Sequence, residues 1–128
     1  MGVALPAVAT PLAAYVPAVR TGNLVYTSGQ LPLEGGEPGR IAARTCALNA
    51  LAAIDALVGI ESVVRVVKVV GFVASAPGFT GQPGVVNGAS EFLGQLFGDA
   101  GSHARSAVGV ASLPLDVPVE VELIVEVA

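Results

Sequence analysis

His103-Ala104-Arg105-Ser106-Ala107-Val108-Gly109-Val110-Ala111-Ser112-Leu113-Pro114, followed by Val119-Glu120-Val121-Glu122, is the stretch on which the rest of the chain turns. Read with a period of two, its first half puts Arg105, Ala107, Gly109 and Ala111 on one face of a strand. An arginine followed only by small side chains leaves a concave floor around its guanidinium. The planar fork of that group matches a carboxylate, with two charge-assisted hydrogen bonds of ~1.5–3 kcal/mol each. The second half alternates strictly. Val117, Val119, Val121, Leu123, Val125 and Val127 form an apolar face, and Glu120, Glu122 and Glu126 project the other way. The connection Leu113-Pro114-Leu115-Asp116-Val117-Pro118 is a turn signal, and it predicts that the two strands are antiparallel neighbours. Spacing alone also suits a blander account, in which Arg105 is a surface ion-pair partner and the glutamates are a solvated face.

The chain has 128 residues, enough for one domain with a single core. Its hydrophobic content of 53% and mean hydropathy of +0.74 are high for a lone soluble protomer, so either a membrane or other subunits must cover apolar surface. A membrane fits poorly. The uncharged run from Val69 to Ser90 is interrupted by Pro77, Pro83 and glycines, and Pro6, Pro11 and Pro17 break the uncharged N-terminal stretch, which no basic segment precedes. Oligomerisation is the better expectation. A net charge of −4 with scattered basic residues argues against a nucleic-acid partner. The single cysteine, Cys46, allows no internal disulfide and suggests a reducing compartment. One histidine and one cysteine, far apart, make no zinc-binding cluster, so no metal is expected.

Taken in order, Tyr15 to Arg20 and Leu24 to Ser28 are β-prone runs flanking a Thr21-Gly22-Asn23 hairpin turn. Gly29 would let the backbone approach a ligand or another chain closely, or else marks a strand-end bend. Residues 33–40 read as a loop without the Lys-Ser/Thr ending of a phosphate-binding loop. Residues 41–58 read as a helix with Ile41, Leu48, Leu51, Ile54 and Val58 as its apolar stripe, Arg44, Asn49 and Asp55 elsewhere, and Gly59 as its stop. Cys46 lies among alanines and reads as a packed small residue. Residues 62–74 are rich in β-branched side chains on both faces, the pattern of a central strand. After a Pro/Gly loop containing Phe79, residues 83–97 read as a second helix, with Pro83 in its first turn and Gly98 ending it. Asn87 and Glu91 fall on its polar side. The order implies an α+β fold, a mixed sheet with two helices on one face.

Several of these segments together resemble the Rid (YjgF-type) family: Tyr15-Val16, Thr27-Ser28-Gly29-Gln30-Leu31-Pro32, Val86-Asn87, Ala104-Arg105-Ser106, and Leu113-Pro114 through Glu120-Val121-Glu122. The resemblance runs over nearly the whole chain from Tyr15 onward. It implies a chorismate-mutase-like fold filling residues 1–128 as one domain, and a homotrimer whose sheets form an inner barrel with clefts between subunits. It also implies a cytoplasmic protein that needs no cofactor. The activity implied is hydrolytic deamination of 2-imino and 2-enamino acids such as 2-aminoacrylate. Carried over by position, Arg105 would clamp the substrate carboxylate and Glu120 would hold and activate a water, while Tyr15, Ser28, Asn87 and Ala107 would line the cleft. The sequence departs from the family pattern at His103, where proline is common, and at Ala107, where well-studied members carry cysteine. The Phe72-to-Phe79 segment with Gln82-Pro83 and His103 points to a side branch, in which His103 is either an acid/base group or an edge residue. The competing functions are a non-catalytic trimer that binds small carboxylates or acts as a holdase, and an endoribonuclease.

Overall fold

The computed structural model describes residues 3–32 and 38–128; most of the loop expected at residues 33–40 lies outside the described residues. Five strands and two long helices follow in the order β1 (Ala18–Thr21), β2 (Leu24–Thr27), α1 (Gly39–Val58), β3 (Val63–Ala74), α2 (Gln82–Phe97), β4 (Ala104–Val110) and β5 (Val119–Val127). The sheet order is β1-β2-β5-β3-β4. All neighbours are antiparallel except β3 and β4, which run parallel. This is the α+β arrangement expected from the sequence, with both helices on one face.

The hairpin is closed by a two-residue loop in which Gly22 takes φ +56°, a conformation that suits strand twist and disfavours other residues. The strand before it is shorter than the sequence suggests. It begins at Ala18, and Tyr15 lies in a bend just upstream, where its backbone N–H donates to Ala13 O at 2.9 Å.

The expected pairing of the last two strands is wrong. β4 and β5 do not touch, because β3 lies between them. The physical reason is the helix that precedes β4. A strand–helix–strand unit returns its second strand parallel to the first, so β3, α2 and β4 claim one edge of β3 and leave the other edge to β5. The Leu113–Pro118 connection arches over the end of β3. There Ala74 N–H donates to Pro118 O and Ser75 N–H to Val110 O, each at 2.9 Å.

The core lies between the sheet and the helices. Val119, Val121, Leu123, Val125 and Val127 of β5 are all buried against α1 and its neighbours, as their alternation predicts. Most of the expected stripe of α1 is inside: Leu51 and Ile54 are fully buried and Leu48 and Val58 pack against the core, whereas Ile41 is exposed. Ala42, Ala43, Cys46, Ala47, Ala50, Ala52 and Ala53 are buried beside them, and their small side chains let the helix settle closely onto the sheet. Cys46 is packed there with no exposure, as expected. Asn49, expected off the apolar stripe, is buried and satisfied, with Nδ2 donating to Leu31 O at 2.8 Å. By length and composition α1 is apolar enough to cross a membrane, but over half of it is buried inside this fold.

Among the described residues no helix covers the other face of the sheet. Val19, Tyr26, Val108, Phe72 and Ile124 lie on it with Glu120, Glu122 and Glu126, and Val19, Tyr26 and Val108 are exposed.

Candidate functional site

Alternation along β4 decides where Arg105 points. Residue 105 pairs with Val69 and residue 107 with Gly71, both buried on the helix side of β3. Arg105 and Ala107 therefore face α2, and Ala104, Ser106 and Val108 face outward. Arg105 is half-buried against the helix. Its Nη1 donates to Asn87 Oδ1 at 2.7 Å and to Ser90 Oγ at 3.2 Å. No carboxylate among the described residues pairs with it; the ion pair recorded there is Arg40–Glu91, at 2.7 Å. Neutral partners hold the guanidinium without neutralising it, and they occupy only Nη1. The edge formed by Nε and Nη2 has no partner among the described residues. The small-residue floor is narrower than the sequence implies, because Gln82 and Ser75 fill the space a side chain at Gly109 would take and Val86 packs over Gly71.

Glu120 belongs to the opposite face. It pairs with Phe72 across the β3–β5 ladder, between the buried Val119 and Val121. Its carboxylate lies where a Cβ at Gly29 would be, so the room Gly29 leaves is taken by a side chain of its own chain and not by the ligand or second chain expected there. With Leu12, Ala13, Tyr15, Ser28, Gly29, Leu31 and Pro114 it lines a cleft of about 450 Å³. Ser28 is fixed at the cleft wall, its Oγ donating to Val16 O at 2.6 Å. Tyr15 is exposed at the rim, and its hydroxyl accepts from Leu12 N at 3.3 Å. Burial, and secondarily the neighbouring Glu122 carboxylate, raise the pKa of Glu120 above its ordinary value.

The residues singled out from the sequence thus fall into two groups in one protomer. Asn87, Arg105 and Ala107 stand on the helix face, while Tyr15, Ser28 and Glu120 meet around the cleft at the other end of the sheet. Glu120 is level with Phe72, and Phe72 with Val108, three residues beyond Arg105. The two groups are therefore offset by ~10 Å along the strands and ~10 Å across them, on opposite faces. Arg105 and Glu120 of one protomer do not meet.

Comparison with known proteins fits this geometry. The family model described as Endoribonuclease L-PSP matches residues 6–127. This chain belongs to that family, the YjgF/Rid family. Protein TCP17 of Trypanosoma cruzi is 43% identical, over 98% of this chain and 89% of its own length. The crystal structure of Atu1372 from Agrobacterium tumefaciens, whose function is unknown, is 41% identical and superposes with a TM-score of 0.89 over 99% of this chain and 87% of that one. Escherichia coli TdcF, crystallised with bound serine, is 28% identical with a TM-score of 0.66 over 97% of this chain and 94% of that one.

Two features of this family member escaped the sequence. Ser90, one helical turn beyond Asn87, joins it on Arg105. Its spacing from Asn87 was visible, but nothing in the sequence told that α2 would lie over β4. His103 is tied on both ring nitrogens, Nδ1 to Gly101 O at 2.6 Å and Nε2 to Ser90 Oγ at 2.9 Å. Glu91 is exposed on the helix surface, as read, and there receives Arg40 Nη2 on both carboxylate oxygens at 2.7 Å.

Proposed function

We propose that this protein is a cytoplasmic homotrimer that hydrolyses small 2-imino and 2-enamino acids, such as 2-aminoacrylate, to 2-oxo acids and ammonia in clefts between subunits. The observation that carries this is the state of Arg105. A half-buried guanidinium held by neutral groups, with its Nε/Nη2 edge unused, is prepared to take a carboxylate in two parallel hydrogen bonds. Serine bound to TdcF is a small molecule with such a carboxylate. The helix-free, partly apolar sheet face is the surface on which copies of the chain would associate, and association would bring Glu120 of one copy toward Arg105 of another.

The chemistry then follows from placement. Arg105 holds the acid end and sets the C=N carbon in place. Glu120, its pKa raised toward working pH by burial, accepts a proton as water adds to that carbon. That proton passes to the nitrogen of the resulting carbinolamine, and the hydroxyl gives its own proton to the freed Glu120 carboxylate as the C–N bond breaks, so that ammonia departs and a 2-oxo acid remains. An enamine first takes a proton from solvent at C3, which gives the protonated imine. Tyr15, Ser28, Asn87 and Ala107 shape the cleft around the substrate. Such imines hydrolyse unaided, so modest stabilisation suffices and this route needs no cofactor.

The test is pyruvate release from a pyridoxal-phosphate dehydratase that makes 2-aminoacrylate. Added protein accelerates release, and Arg105→Lys, which cannot present a planar fork, loses the gain. No acceleration by the wild type would sink the deaminase. Retained carboxylate binding without turnover, in wild type and Glu120→Ala alike, would leave the non-catalytic trimer. Ribonuclease action finds less support, since the lone histidine has both ring nitrogens engaged.

A further inference from the structure

The geometry points to Ser90 and His103 as positioning residues for Arg105, a hydrogen-bonded relay that fixes which edge of the guanidinium meets the substrate carboxylate. The inference rests on the carboxylate-binding role of Arg105 proposed above, and it assigns functions to two side chains outside that reading.

The chain of donors and acceptors is determined by chemistry at its far end. A carbonyl oxygen only accepts, so the 2.6 Å contact between His103 Nδ1 and Gly101 O requires the proton on Nδ1. In the neutral imidazole, Nε2 is then an acceptor, and the partner 2.9 Å away, Ser90 Oγ, must donate its proton to it. With its proton committed, Ser90 presents only lone pairs elsewhere, and Arg105 Nη1–H uses one at 3.2 Å. Asn87 Oδ1 takes Nη1 at 2.7 Å. Two acceptors account for the two Nη1 protons. The Nε–H and Nη2–H pair is left to face a carboxylate side-on.

The anchor is rigid. Gly101 is buried, and a Cβ there would strike the Leu93 carbonyl of α2, so the backbone that orients His103 is itself locked to the helix carrying Asn87 and Ser90. A histidine two residues ahead of Arg105 thus sets, through one serine, the rotamer of the arginine on that strand.

Two measurements test this. The first is the tautomer of His103 in the wild-type protein, read from nitrogen-15 chemical shifts and two-bond couplings of the imidazole at neutral pH. The Nδ1–H form is expected; a predominant Nε2–H form overturns the relay whatever the protein binds. The second is pyruvate binding by calorimetry, which does not depend on turnover. Ser90→Ala is expected to weaken binding about five- to tenfold, the net worth of one ordinary hydrogen bond, since the lost contact orients Arg105 and does not touch the ligand, and Ser90→Thr to restore it. His103→Asn, whose amide N–H can still donate toward Gly101 but whose oxygen is too short of Ser90 to accept from it, should weaken binding in the same direction. Thermal melts identify any variant that fails to fold, and the wild-type tautomer decides the relay in that case. Unchanged pyruvate affinity in a folded Ser90→Ala protein overturns the positioning role. Absence of pyruvate binding by the wild type overturns the carboxylate role of Arg105 and this inference with it, an outcome distinct from either of the others.

Discussion

The carboxylate of Glu120 occupies the volume that a side chain on Gly29 would fill. Glu120 can lean over β2's end only because residue 29 has no Cβ, and this places its oxygens in the cleft with Tyr15 and Ser28. Gly29→Ala is expected to swing the carboxylate away while leaving the fold intact, since the obstructing group is the movable end of a side chain. Displacing a reacting group by an ångström costs on the order of 100-fold in rate. Steady-state deaminase kinetics beside a thermal melt check this: kcat/KM should drop sharply with little change in Tm.

Glu120 also gives the protein a pH signature. Its folded pKa is raised, first by burial and then by Glu122, so the folded state holds this proton more tightly than the unfolded chain does. The stability this contributes is fully present below the unfolded carboxylate pKa and is lost as pH rises through the folded value. Glu120→Gln cannot ionise and escapes that loss, so its stability relative to wild type should improve as pH rises from the acid side of the carboxylate range to neutral. Urea midpoints at both ends measure it, and a difference constant with pH would contradict the assignment. If Glu120 is the base, the acid limb of the rate profile should lie above that of an ordinary glutamate.

Gly88 and Gly94 predict opposite signs on one helix. A Cβ at Gly88 would run into the backbone carbonyl of Arg40, where α1 and α2 cross, and backbone cannot step aside. Gly88→Ala should cost ~1–3 kcal/mol by overpacking. A Cβ at Gly94 meets open space, so Gly94→Ala should gain ~0.5–1 kcal/mol from helix propensity alone. Chemical denaturation of the two variants checks both.

What the sequence disclosed was local. Gly22, Gly59 and Gly98 each punctuate the chain where expected and take positive φ, and the valines of β5 are buried one after another. Local signals could not say which edge of β3 the last strand would join. The Leu113–Pro118 turn announces a reversal but not a partner, and the parallel β3–α2–β4 crossover settled that instead. On α1 the apolar stripe located Leu51 and Ile54 in the core but not the exposure of Ile41, which depends on where the helix ends relative to the sheet. At the site, Arg105 and Glu120 were visible as candidates by residue type and resemblance. Their separation onto opposite faces depended on long-range register, and so did the pairing of Ser90 with Arg105 across 15 residues of chain.

Because Arg105 and Glu120 of one protomer stand on opposite faces of the sheet, the account requires a working cleft to draw them from different copies. Mixing an Arg105→Ala protein with a Glu120→Ala protein under conditions that exchange subunits tests this most directly. Each variant alone should be inactive, and random trimers of the two should recover about a quarter of the wild-type activity per protomer, since clefts that pair an intact Arg105 with an intact Glu120 re-form. Mixed trimers demonstrated by native mass spectrometry but showing no recovered deamination would contradict it.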